Sequence, residues 1–155
     1  WKSGKYSLLK SKYNIVGDVK FVYATEVIKK YPEYPVFAGE RFVPLGYKYS
    51  DIDLDYDMLF LNTVLCIVDY MPDGSTLNIF KQYYRHPKGF AFSRKQSFKG
   101  LYNFKEKFVI AVHLVAESIL ARQNAFKSNP EKLLTICAIP LGLVLYCYIF
   151  YLNKK

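Results

Sequence analysis

The sequence predicts an α+β chain, irregular and loop-rich, that ends in one transmembrane helix. Three observations predict it. Leu133 to Leu152 is a run of twenty residues without a charge. Phe104 to Phe126 is a long, mostly apolar stretch with a helical pattern. Between residues 51 and 84, alternating and continuous apolar runs flank a Pro-Asp-Gly turn, the signature of a short hairpin.

Length and composition set the limits. A chain of 155 residues holds one domain of ordinary size and an anchor. It is 52% hydrophobic and 18% aromatic, with 15 Tyr and 12 Phe, enough apolar area to exclude a disordered chain. The formal charge is +9, and leaving out the two terminal lysines, Lys154 and Lys155, still leaves +7. Such a surface attracts anionic lipid, acidic protein or nucleic acid without choosing among them. The three Cys are odd in number and lie in apolar runs, against a disulfide framework. The chain opens at Trp1 with no signal-like apolar stretch, which reads as a processed start or a fragment.

From the N-terminus, residues 1–17 are polar, basic and Gly/Ser-containing, and read as an extended arm before a small basic, aromatic-rich domain over 18–103. Within it, Asp18 to Lys30 has helical spacing, an Asp18 cap, two lysines near its end and Pro32 as a stop. Tyr31 to Tyr49 carries three Pro and two Gly and reads as turns whose aromatics need something to pack on. Asp51 to Asp57 alternates acid and apolar, so as a strand it puts four carboxylates on one face. Thr63 to Tyr70, with Cys66, reads as a buried strand. Pro72 fixes φ at the next corner and Gly74 tolerates a positive φ, so Thr76 to Tyr84 returns as the second strand of the hairpin. Arg85 to Asn103 reads as irregular.

Residues 104–128 form the apolar helix, either buried among neighbours or lying on a membrane surface, and Lys127-Ser128-Asn129-Pro130 breaks it. The transmembrane helix occupies 130–153, with Asn129 and Pro130 suited to its start. At 1.5 Å per residue its uncharged core reaches about 30 Å, the thickness of a hydrocarbon layer. Tyr146, Tyr148 and Tyr151 gather toward its end as an interfacial belt, and Pro140 and Gly142 are tolerated inside such a helix.

Four constellations invite chemistry. His113 and Glu117 are four apart on the apolar helix and share a face. Only two His exist, too few imidazoles to anchor a metal site with Glu117, so the pair reads as a buried polar pair within a packed interface. The Asp51 to Asp57 run fails as a calcium loop, because Tyr56 and Asn62 stand where Gly and Glu are required. Asn78 to Lys105 contains no acid, and its Lys81, Arg85, Lys88, Arg94, Lys95 and Lys99 are interleaved with aromatics. That pattern suits a protein partner first, anionic phospholipid such as cardiolipin second, and single-stranded nucleic acid third, since no RNA-binding motif accompanies it. Finally, there is no nucleophile elbow, P-loop or dinucleotide motif, and no Cys/His zinc cluster.

The expected function is therefore a non-catalytic accessory subunit of a large membrane complex, with no cofactor. The expected setting is a mitochondrial inner-membrane respiratory-chain or ATP synthase complex. The expected topology is single-pass with the N-terminal domain on the matrix side, because the basic domain belongs on the cytosol-like face. The alternatives are a tail-anchored protein with a soluble binding domain, or a membrane-tethered enzyme or RNA-binding module.

Overall fold

A computed structural model describes residues 4–6, 19–72, 74, 76–100, 103–127, 129 and 131–154. Its elements are β1 (Gly4–Tyr6), α1 (Thr25–Ile28), α2 (Gly46–Asp55), β2 (Met58–Phe60), α3 (Ile79–Arg85), α4 (Pro87–Ser97), α5 (Phe104–Leu120) and α6 (Lys132–Lys154). The described residues are mostly helical. The α+β expectation shrinks to one two-stranded antiparallel sheet, with Gly4 opposite Phe60 and Tyr6 opposite Met58.

The expected hairpin is not formed. Residues 61–70 carry no regular structure, and Val64 and Ile67 are 82% and 89% exposed. A strand needs a ladder partner, and among the described residues pairing ends at Phe60. The turn does close, with the Gly74 N–H donating to the Met71 carbonyl at 2.9 Å, although Gly74 does not use positive φ. Beyond the turn the chain forms α3 in place of a strand. Its Phe80, Tyr83 and Tyr84 recur at helical spacing, and Phe80 and Tyr84 meet Tyr148 and Phe150 near the end of α6.

The acidic alternation is likewise helical. In α2 the side chains of Tyr47, Lys48 and Ile52 turn inward, and the Tyr47 ring meets Phe92 of α4 edge-on at 5.1 Å. The carboxylates spread around the helix, with Asp53 buried and Asp55 accepting from the Tyr31 hydroxyl at 2.7 Å. The expected helix from 18 to 30 contracts to the single turn of α1, and its Asp18 cap lies outside the described residues. Residues 19–24 instead run irregularly, and Phe21 and Tyr23 gather around Tyr49.

The region expected to be irregular after Arg85 contains α4. Pro87 occupies its first turn, where no amide hydrogen is needed. The Glu40 carboxylate then accepts from the Lys88 and Gly89 amides, both at 2.9 Å, so a distant anion caps the helix. Gly89 is required there because a Cβ would strike the Phe42 carbonyl.

α5 starts with a capping box, in which Asn103 Oδ1 accepts from the Glu106 amide and Glu106 Oε2 accepts from the Asn103 amide. It ends in a Schellman pattern: Arg122 takes φ 54°, and the Gln123 N–H donates to the Ser118 carbonyl at 2.8 Å. Residues 121–127 then run beside α4. At the start of α6, Asn129 accepts from the Glu131 amide and donates to Thr135 Oγ1 at 2.7 Å, while Pro130 lies outside the described residues.

α5 and α6 run in the same direction. Lys107 Nζ meets Glu131 Oε1 at 2.7 Å near their starts, and Val115 meets Gly142 further along both. α6 lays Leu134, Thr135, Ala138, Gly142 and Ile149 against its neighbours, a stripe at three- and four-residue spacing. α4 runs opposite to α5. Phe98 joins the core of Ala111 and Leu114, while Phe90 joins that of Ala116, Tyr83 and Ile149.

Two outcomes test this packing. A Cβ at residue 142 would lie 2.5 Å from Val115 Cγ1, so Gly142→Ala forces α6 off α5. We expect Gly142→Ala to cost about 1–3 kcal/mol in thermal unfolding, and Val115→Ala in the same chain to recover part of it. An unchanged melting temperature would refute the close approach. The Tyr31 phenol is pushed up to about 12, by burial first and then by its bond to Asp55. A folded value above the unfolded one gives stability that is complete below about pH 10 and lost as pH rises toward 12. Tyr31→Phe should flatten that loss in alkaline unfolding curves; identical curves would count against the bond.

Candidate functional site

Three features converge on the α4–α5–α6 layer. The first is α6 itself, the one helix among the described residues long and apolar enough to cross a membrane, with a mean hydropathy of 2.3. Its uncharged core matches the run read from the sequence. Its inner face is small where it meets α5, since Ala138 and Gly142 let the backbones approach. Its outer face shows Leu133, Ile136, Leu143, Val144 and Tyr151 to the surroundings, and Cys137 and Cys147 are exposed.

The second feature is a buried ionic cluster. Glu117 is 0% exposed. Its Oε1 lies 3.4 Å from Arg94 Nε and 3.8 Å from His113 Nδ1, too far from the latter for a hydrogen bond. Arg94 also donates to the Tyr83 hydroxyl at 3.4 Å, and its guanidinium lies over the Tyr83 ring. Tyr83 in turn meets His113 edge-on. Helical periodicity puts His113 and Glu117 on one face, as expected. The third member, Arg94, arrives from α4, and no local spacing announces it. Glu117 Oε2 and His113 Nδ1 have no hydrogen-bond partner.

The third feature is how the basic residues divide. Lys81 and Arg85 are exposed on α3. Lys88 uses its amide on Glu40 and its ammonium on the Ala38 carbonyl, at 3.4 Å. Arg94 turns inward. Lys95 and Lys99 line an open cleft of about 690 Å³ between α4 and the returning 121–127 segment, and Lys127 faces them there. The six residues therefore do not make one patch. Lys127 is a member of the cleft that the acid-free stretch did not include, because it lies beyond α5 in sequence.

Burial, and then the nearby Lys127, pull the Lys95 ammonium below the usual lysine range. His86 Nδ1 accepts from the Arg41 amide at 3.3 Å, so it ties α4 to the 37–43 segment. Cys66, expected in a buried strand, is exposed. Among the described residues no three His, Cys, Asp or Glu side chains gather where they could share a metal ion.

The shared direction of α5 and α6 sets the levels. Glu117 lies two residues beyond Val115, so Arg94 and Glu117 stand beside the middle of α6, near Leu143. Compared with known proteins, the chain matches no family model, no curated sequence and no solved structure.

The ionic cluster makes an asymmetric prediction. Glu117 is sealed, whereas the Arg94 side chain is 26% exposed and can reach water. Arg94→Met leaves a buried, unpaired carboxylate and should cost about 3–5 kcal/mol. Glu117→Leu should cost less, and the double variant should regain most of the parent's stability. Equal losses for the two single variants in urea unfolding would contradict a cluster built around Glu117.

Proposed function

We propose that this chain is a non-catalytic accessory subunit of a large membrane protein complex, anchored by α6. One observation carries the reading: an apolar, membrane-length helix is packed side by side with a charged layer. α6 exposes one whole face, while Arg94, Glu117 and the adjacent Lys95 stand level with its middle, and Lys99 follows Phe98 toward its start. A lone span surrounded by lipid cannot carry charged side chains at that depth. Neighbouring protein can cover them and also supply apolar surface for α6. The exposed apolar segment 61–71 needs cover for the same reason, since Val64, Leu65, Ile67 and Val68 face outward together.

The setting we propose is a mitochondrial inner-membrane respiratory-chain or ATP synthase complex, with the N-terminal domain on the matrix side. Its support is the excess positive charge before α6, which favours the cytosol-like face. Other subunits of the complex are the proposed partners, with anionic phospholipid such as cardiolipin beside them.

A second reading rests on the same layer seen edge-on. One side is the apolar face of α6 and the other is the cationic edge of α4, so the layer is amphipathic as a whole. Such a layer can lie flat, with α6 in the plane of the interface.

Two measurements test these readings. Solubilised in mild detergent, the chain should co-migrate with other proteins on a native gel, identified by mass spectrometry. Migration alone as a monomer would sink the subunit reading. In sealed vesicles, a crossing α6 puts a tag after Lys155 and the exposed Lys105 amine, in the first turn of α5 beside the start of α6, on opposite sides. Labelling of both by one impermeant reagent from the same side would select the in-plane reading instead.

A further inference from the structure

The cleft between α4 and the 121–127 segment has a construction that anchoring does not explain. Three lysines, Lys95, Lys99 and Lys127, line one open space of about 690 Å³. Among the described residues no carboxylate lies within ion-pair distance of any of them. Like charges gathered without a counter-charge repel, and partial burial adds to the cost. Lys95 is nevertheless held in place, its Nζ donating to the Asn124 carbonyl at 3.5 Å. The amides of Gln96 and Gln123 offer further N–H donors on the walls, and the Phe92 ring closes one side. That ring is itself fixed against Phe37 and Tyr47.

We propose that this cleft binds a phosphate-bearing anion, with Lys95, Lys99 and Lys127 as its charge partners and Gln96 and Gln123 as neutral donors. The donor types favour phosphate over carboxylate. A guanidinium is the group that grips a planar carboxylate in two-point fashion, yet no arginine lines the cleft, and Arg94 beside Lys95 is turned inward to Glu117. Lysines act as mobile point charges and suit the three oxygens of a phosphoryl group. The volume falls within the range of small-molecule sites. Lys95 and Lys127 both gain from such a ligand, since an anion between them offsets their repulsion, which adds to burial in pulling the Lys95 ammonium down. Such binding needs the cleft open to water or headgroups, so it rests on the second reading, in which α6 lies in the plane of the interface. The phosphoryl group can belong to a soluble metabolite or to a lipid headgroup.

The test uses the full chain in detergent and pyrophosphate as the probe, titrated by calorimetry at constant ionic strength. Lys95→Gln, Lys99→Gln and Lys127→Gln together should weaken binding by at least about tenfold. A control with the same loss of charge elsewhere, Lys20→Gln, Lys81→Gln and Arg85→Gln, should change it less than about twofold. Circular dichroism checks that both retain the parent's helix content. In the parent chain, pyrophosphate should also shield Lys95, Lys99 and Lys127 from acetylation while leaving Lys20 and Lys81 reactive. Vesicles of phosphatidylcholine with and without phosphatidylglycerol separate the sources. Retention on the anionic vesicles that the cleft variant loses assigns a headgroup, and retention unaffected by it assigns a soluble phosphate. Equal weakening in both variants, no shielding of the three lysines, or tighter binding of a polyglutamate peptide than of pyrophosphate would overturn the proposal.

Discussion

The close approach of α6 to α5 at Gly142 and Val115 is the constraint on which the remaining arrangement depends. A glycine allows the two backbones to meet where any side chain would collide. Together with the Lys107–Glu131 pair, it fixes both the direction and the vertical alignment of the helices. The connection this imposes is unusual. Parallel neighbours need a return path, and residues 121–127 enter it beside α4. The positive φ at Arg122 and the bond from Gln123 back to Ser118 turn the chain into that path.

The alignment also decides which surfaces are left over. With α5 on one flank, α6 keeps a single exposed face, and that face is apolar along its length. With α4 on the far flank of α5, the lysines of its second half face away from α6 and into the cleft with Lys127. The buried Arg94–Glu117 pair sits between these surfaces. It is a costly way to join two helices, because Glu117 leaves water altogether and Arg94 in large part, and a 3.4 Å contact returns only part of the loss. What such a pair supplies is register: an apolar seam between α4 and α5 tolerates sliding, whereas Arg94 must reach one position on α5. The Tyr83 hydroxyl and ring extend the same requirement to α3.

The sequence announced what depends on local composition and little of what depends on long-range contact. The membrane-length helix was legible because twenty uncharged residues need no tertiary information to be noticed. The apolar helix before it was legible in extent, and Asn103 with Glu106 three residues on was a start signal that could have placed its first turn. The alternation from Asp51 to Asp57 misled because a period of two was read over only seven residues. The inward face of Tyr47, Lys48 and Ile52 begins before that window and has helical spacing. α4 was hidden for a different reason. Its N-terminal partner is Glu40, nearly fifty residues away, and Lys and Gly beside a Pro look like a loop without that carboxylate. For the site, the His113–Glu117 face could be read from spacing, but Arg94 as its counter-ion and Lys127 as a cleft wall belong to tertiary structure.

The segment after β2 carries the same tension to the chain's surroundings. Its residues were read as a buried strand because Val, Ile, Cys and Tyr in succession are apolar on both faces. That composition is correct for burial on two sides, yet the described part of this chain offers no sheet edge or cover there. Burial as a property of the sequence and exposure as a property of the isolated chain conflict at residues 61–71, as they do on the outer face of α6. Under the proposed function both conflicts resolve in one way, through surface supplied by another molecule. For α6 either lipid or protein can supply it. For 61–71 the backbone amides and carbonyls must be satisfied as well as the side chains, and hydrocarbon cannot do that. On that reading the two surfaces ask for different cover, and the exposed apolar side chains of Val64, Leu65, Ile67 and Val68 are the ones we propose a protein neighbour covers.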